Sequence, residues 1–273
     1  VDVRNVSPRS TASFNIEIKD SEDGRYNTFV DEYSIGWRMP KEGGLYYDMY
    51  THPLSGDITE DDVEHFQLPD PLDPSRFDGL RDASMKVLED EKRALIIGNI
   101  SAGIFELYTW TRGYMKGYAD WAGNQNLVKK MLHKYTDLQL AYWERMFEVM
   151  DGIPIDVVQM ADDLAGQNRM LISPKSYKEI LKPLHKKMFD YIHSKSDAKI
   201  FFHSCGAVRP IIPDLIDAGV DILNPVQVSA GDMNSAELKR EFGKEIVFWG
   251  GGVDTQNSFD ELHTPDEVRA DVR

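Results

Sequence analysis

His203 and Cys205 are two positions apart, and Cys205 is the sole cysteine among 273 residues. An imidazole and a thiol on alternate positions of one turn can converge on a point. As a neutral nitrogen and a thiolate sulfur they are two of the donors that a zinc ion takes. His203 and Cys205 are therefore the expected ligands of a partial metal site. A lone cysteine also reads as a small buried hydrophobe, and both readings stand at this point.

The elements that must carry this pair follow from the hydrophobic pattern. The run Lys199-Ile200-Phe201-Phe202 predicts a strand leading into His203, and the amphipathic stretch 208–218 predicts a helix after it. The same alternation runs from Ala94 onward. Strands are predicted at 95–98, 155–160, 199–202, 221–226 and 246–249. Leu127, Val128, Met131, Leu132, Tyr135, Leu138, Tyr142, Met146 and Val149 share one helical stripe. Ser173-Pro174 is an N-cap followed by proline at the first helical position, which opens a helix to about 194. A further helix is predicted near 236–242. Strands alternating with helices imply a parallel sheet. The expected fold is α/β: a (β/α)8 TIM barrel, truncated at both ends because about five strands fall short of the eight required. An open doubly wound sheet competes, but no strand is followed by the Gly-rich dinucleotide fingerprint.

Residues 1–90 differ in character. The runs 33–39 and 45–50 flank the turn Lys41-Glu42-Gly43-Gly44 and predict a β-hairpin. Thr59-Glu60-Asp61-Asp62 predicts a helix start. Pro69-Asp70-Pro71 and Asp73-Pro74 form a stiff connector, followed by a short helix over 75–91. The expected organisation is a hairpin and connector segment over 1–90 and a partial barrel over 91–273. The chain starts at Val1 without methionine and stops at Arg273 inside what reads as a fresh helix from Pro265, so a piece of a longer protein is expected.

A barrel places its active site at the C-terminal ends of its strands. Those positions hold Asn99 and Ser101, then Asp162 and Asp163, then His203 and Cys205, then Asn224 and Gln227, then Gly250-Gly251-Gly252 with Asp254 and Gln256 just after. Asp162 and Asp163 are the expected catalytic carboxylates, to orient a ligand or accept a proton. One of them could instead be a helix cap. Asn99, Asn224, Gln227, Gly251 and Asp254 are the expected substrate-binding positions. The three glycines would let a ligand approach the backbone closely, or simply make a tight turn. His52, His65, His133, His185, His193 and His263 fall in helices or loops without evident partners and read as structural or surface residues.

Composition narrows the partners. At 41% hydrophobic and 28% charged the chain reads as an ordinary globular protein, and no apolar run is long enough to span a membrane. A formal charge of −15 argues against a nucleic-acid partner, since phosphate binding needs a basic surface. One cysteine allows no internal disulfide and fits the cytoplasm.

Several of these segments together carry a resemblance. Phe202-His203-Ser204-Cys205-Gly206, then Asp214 to Asp221, Ile222-Leu223-Asn224-Pro225-Val226-Gln227, and Phe248-Trp249-Gly250-Gly251-Gly252-Val253-Asp254-Thr255-Gln256 resemble the uroporphyrinogen decarboxylase superfamily. Asp162-Asp163-Leu164-Ala165 with Ile172-Ser173-Pro174 fits the same pattern, as does Tyr46-Tyr47-Asp48 with His52-Pro53-Leu54. The resemblance implies a (β/α)8 barrel and either of two chemistries. Its decarboxylases bind a tetrapyrrole without metal, through N-terminal arginines and a key aspartate. Its corrinoid-linked methyltransferases use zinc on a His-x-Cys motif plus a distant cysteine to activate a thiol. The His-x-Cys here puts the chain on the methyltransferase side. That implies zinc, a small-molecule thiol, a corrinoid (cobalamin) carried by a partner protein, and a monomer or homodimer. The alternatives are tetrapyrrole decarboxylation in porphyrin biosynthesis, or an inactive fragment that docks a corrinoid protein. The third ligand of the methyltransferases would fall beyond Arg273 or be absent.

Overall fold

The computed structural model describes residues 2–11, 14, 16–254 and 264–271. Gln256 and His263 lie outside the described residues. The strands, in chain order, are β1 (Val3–Val6), β2 (Lys19–Asp20), β3 (Tyr26–Val30), β4 (Gly36–Pro40), β5 (Asp48–Thr51), β6 (Ala94–Ile97), β7 (Val157–Ala161), β8 (Lys199–His203), β9 (Ile222–Asn224) and β10 (Val247–Phe248). They form two sheets in two compact units, each discontinuous in sequence: residues 1–7, 82–103 and 152–273 make one, and residues 8–81 and 104–151 the other.

The first unit is α/β, as expected. Its six strands lie in the order β1-β6-β7-β8-β9-β10, every pair parallel. Strands that neighbour one another in chain order are laid down as consecutive strands of a (β/α) barrel are. The eight of a closed barrel are not reached among the described residues. The five strands predicted from Ala94 onward are present. The sixth, β1, comes from a segment for which the pattern predicted no strand: Val3 to Val6 pair with Ala94 to Ile97, and the guanidinium of Arg4 meets Glu91 at 2.7 Å. A four-residue edge strand of mixed polarity has too weak a period to read from sequence, and its pairing supplies the order instead.

Alternation along these strands sorts their side chains. Val3, Ile96, Val157, Phe201 and Ile222 form one apolar cluster on one face of the sheet. Ile97, Val158, Ile200 and Leu223, one residue along, are fully buried on the other face. The helix Lys182–Lys195 connects β7 to β8, Ile212–Ala218 connects β8 to β9, and Ser235–Phe242 connects β9 to β10. Ser173 caps the first turn of its helix through the N–H of Ser176, as its sequence predicted.

In the second unit the expected hairpin is β4 and β5, extended by β2 and β3 into a four-stranded antiparallel sheet. Thr59 and Asp62 complete a reciprocal capping box on the helix Glu60–His65. The predicted stripe lies on the helix Gln125–Val149, where all its members are buried except Val149, which is half-buried. Arg76, 1% exposed, donates to both carboxylate oxygens of Glu32 and lies over the ring of Tyr142. No helix among the described residues is long and apolar enough to cross a membrane.

Candidate metal centre

Three strand ends converge on His203 and Cys205. β8 delivers His203 as its last residue, and the two residues that follow β7 are Asp162 and Asp163. The N–H of Asp162 donates to the carbonyl of His203 at 2.9 Å, so the parallel ladder continues one step beyond β7. Ser204, 2% exposed, spans the gap: its N–H donates to the carbonyl of Asn224, and its Oγ accepts from the N–H of Leu164. Gly206 then turns the chain with φ of 85°, and a Cβ there would stand 2.5 Å from the carbonyl oxygen of Gly166. Only glycine takes that conformation at that closeness, and the turn leaves Cys205 facing His203.

The resulting geometry is compact. Cys205 Sγ lies 3.4 Å from Nε2 of His203. Oδ1 of Asp163 lies 3.9 Å from the same nitrogen and accepts the N–H of Cys205 at 2.8 Å. One ligand atom each from Asp163, His203 and Cys205 falls within 4.8 Å of the others. All three residues are half-buried, within reach of a solute. The imidazole is oriented from behind. Its Nδ1–H donates to Oδ1 of Asn224 at 2.6 Å, and Nδ2 of Asn224 donates to the carbonyl of Trp249 at 2.8 Å. With its amide so directed, Asn224 accepts from Nδ1 and leaves the Nε2 lone pair facing the thiol and the carboxylate. That is how metal-binding histidines are held. A thiolate, an imidazole nitrogen and a carboxylate oxygen are also the donor types that hold zinc, so the residues present fit the metal that the resemblance implies.

The two aspartates have different surroundings. Asp163 joins the cluster. Asp162 is wholly buried, and its Oδ2 accepts from Nε2 of His185 at 3.0 Å. The hydroxyl of Tyr177 lies 3.4 Å from Nδ1 of His185. Burial, with the nearby charge of Asp162, raises the Tyr177 phenol above its ordinary value. The rings of Phe189 and Phe202 pack on His185 at 5.7 and 5.4 Å.

The remaining expected positions do different work. Gln227 accepts the N–H of Gly206 at Oε1 and donates from Nε2 to Gln167, tying three loops together. Gly250 and Gly251 both have positive φ, and a Cβ on Gly250 would overlap the carbonyl of Pro225, so this run packs against the Asn224-Pro225 turn. Asn99 directs a buried Oδ1 that has no hydrogen-bond partner. Asp254 is half-buried.

Sequence reasoning missed His185, Tyr177, Gln167 and the carbonyl of Trp249. His185, expected to have no partner, meets Asp162 Oδ2 at 3.0 Å. So, too, His52 bonds the carbonyl of Trp110, His65 that of Asp61, and His193 the carboxylate of Asp221. For His185 a signal existed. It shares the stripe Leu181, Leu184, Met188 and Ile192, all buried, and a histidine in such a stripe needs a polar partner.

The model of the family described as uroporphyrinogen decarboxylase (URO-D) matches residues 49–272. Among solved structures, a methyltransferase from Methanosarcina mazei superposes with a TM-score of 0.56 at 20% sequence identity. The match covers 82% of this chain and 61% of that one, so the chain spans less than two thirds of that relative. At this identity the likeness is one of fold. No curated protein matches.

Proposed function

This chain belongs to the uroporphyrinogen decarboxylase (URO-D) family, and from that premise we propose that it is a zinc-dependent methyltransferase that moves a methyl group between a corrinoid, carried by a partner protein, and a small-molecule thiol. The observation that carries the reading is the pairing of His203 Nε2 with Cys205 Sγ at 3.4 Å, with Nδ1 committed to Asn224. A metal-free tetrapyrrole decarboxylase has no use for a thiol and an imidazole locked in this relation. The fold it shares with the methyltransferase of Methanosarcina mazei agrees with the reading.

Bound zinc supplies a Lewis acid that lowers the pKa of a thiol, so that the thiolate is available at neutral pH. The chain's own residues do the positioning. His203 and Cys205 present nitrogen and sulfur to one point. Asn224 keeps the imidazole in the tautomer that can donate its lone pair. Asp163 holds the Cys205 N–H and keeps the loop after β8 closed onto the end of β7. Gln227 and Gln167 brace the loops that surround the cluster.

The test is zinc content by elemental analysis, beside formation of a methyl thioether from methylcobalamin and a simple thiol. Near-stoichiometric zinc with thioether formation supports the reading. No zinc together with turnover of uroporphyrinogen overturns it in favour of decarboxylation. Corrinoid-protein capture with no turnover of either kind overturns it in favour of a docking module.

A further inference from the structure

We propose that Asp163 is a metal ligand beside His203 and Cys205, and that the buried Asp162–His185 pair is the device that aims it. The inference rests on the metal reading above and deepens it.

Two observations lead to Asp163. It is the one carboxylate among the described residues that clusters with His203 and Cys205. Its Oδ1 is held by the N–H of Cys205, so it has a defined orientation before any metal arrives. Nitrogen, sulfur and oxygen donors on three side chains are a set that zinc takes.

The positioning role rests on separate evidence. A carboxylate and an imidazole, 0% and 2% exposed at their side chains, face each other at 3.0 Å. Burying such a pair is costly unless its geometry is exact, and a Leu–Leu contact would fill the same space at less cost. The pair also lies in a tight frame. A Cβ on Gly103 would stand 2.3 Å from Cγ of Asp162, and Tyr177, Phe189 and Phe202 enclose His185. Asp162 is thereby pinned by its side chain and, through its N–H to His203, by its backbone. The next residue is Asp163. Pinning Asp162 sets the direction in which the Asp163 side chain leaves the chain. Asp162 is therefore a positioning residue: it is enclosed where no substrate can touch it.

The experiment compares the protein with Asp163→Asn, His185→Phe, His185→Gln and Cys205→Ser. Asp163→Asn keeps an acceptor for the Cys205 N–H but removes the carboxylate. His185→Phe fills the ring's space without the N–H, whereas His185→Gln keeps a donor for Asp162. Zinc affinity is read by competition with a chelating dye, coordination by the visible spectrum of the cobalt(II) form, and folding by thermal melting. A metal-free readout, amide hydrogen exchange at Cys205, reports whether Asp163 still faces it. We expect Asp163→Asn and His185→Phe each to weaken zinc binding by about 10- to 100-fold, with a changed cobalt spectrum and, in His185→Phe, faster exchange at Cys205. His185→Gln restores both affinity and exchange. Zinc that depends on Cys205 but binds Asp163→Asn as tightly as the unaltered chain overturns the ligand assignment alone. Unchanged affinity and exchange in a folded His185→Phe overturns the positioning role. If His185→Phe does not fold, failure of His185→Gln to protect Cys205 does the same. No zinc in the unaltered chain overturns the metal reading itself, and the Cys205 exchange then still decides what His185 does.

Discussion

Nδ1 of His203 donates its proton to Oδ1 of Asn224 across 2.6 Å, joining the end of β8 to the end of β9. Because Asn224 is itself held by the carbonyl of Trp249, the hydrogen-bond direction runs one way. The imidazole is left with its Nε2 lone pair toward Cys205. A single amide thus decides which nitrogen can bind a metal, and Asn224 stands directly behind the imidazole.

Replacing Asn224 with leucine removes that direction without changing the ligands. Zinc affinity is expected to fall by about 10- to 100-fold, with the melting temperature little changed. Competition with a chelating dye measures it. Affinity equal to that of the unaltered chain would show that the tautomer is set elsewhere.

Cys205→Ser removes the sole sulfur donor, and serine is a poor zinc ligand at neutral pH. Elemental analysis of the purified variant is expected to find zinc lost. Full zinc content would mean that the metal sits elsewhere.

Gly206→Ala places a Cβ where the carbonyls of Gly166 and Ala165 stand 2.5 and 2.6 Å away, at a φ of 85°. The loop must give, at a cost of about 1–3 kcal/mol, and Cys205 moves with it. Urea unfolding measures the first effect, and zinc affinity the second. Unchanged values of both would show that the turn tolerates a side chain.

Arg76 and Glu32 test the second unit. The guanidinium is 1% exposed at its side chain and its partner 15%. Glu32→Ala leaves a buried cation without its carboxylate, and the expected loss is about 3–5 kcal/mol, read as a lower urea midpoint. A loss under about 1 kcal/mol, the worth of an exposed pair, would contradict the burial of this one.

Asp23 supplies a pH prediction. The hydroxyl of Ser21, the N–H of Arg25 and its guanidinium all donate to this carboxylate and lower its pKa to about 2. A depressed folded-state value means that the folded chain binds the proton less readily than the unfolded one. The stabilisation is therefore present above about pH 4, the ordinary carboxylate value, and is lost as pH falls through about 2. Carbon-detected NMR titration is expected to place Asp23 there, and Ser21→Ala to move it upward. An unshifted titration in that variant would remove the hydroxyl from the account.

Local sequence was enough wherever a period or a cap spoke for itself. The alternation from Ala94 on showed the α/β class, because a strand buried on both faces is apolar throughout and a covering helix is amphipathic. Thr59, Ser173 and the Gly-Gly turn at 43–44 announced their elements for equally local reasons. The resemblance carried by the segments around Asp162, His203, Asn224 and Gly250 agreed with the family that the chain matches. His203 and Cys205 were also legible, since residues at i and i+2 past a strand need no distant information to meet.

The tertiary structure decided what depends on sequence-distant neighbours. Val3 to Val6 is a strand because β6 offers it an edge, and nothing within four residues encodes that pairing. Asp162 and Asp163 are identical in type and adjacent, so no pattern could separate them. The fold turns one into an apolar box with His185 and the other toward Cys205, 42 residues away. Gln227 braces the Gly206 turn against Gln167, and His185, without an evident partner in the sequence, has one in Asp162. The sequence by itself thus determined which residues can do chemistry and which periods they ride on. The parallel register, by bringing the ends of β7, β8 and β9 together, decided which of them face a common point and which only hold the others in place.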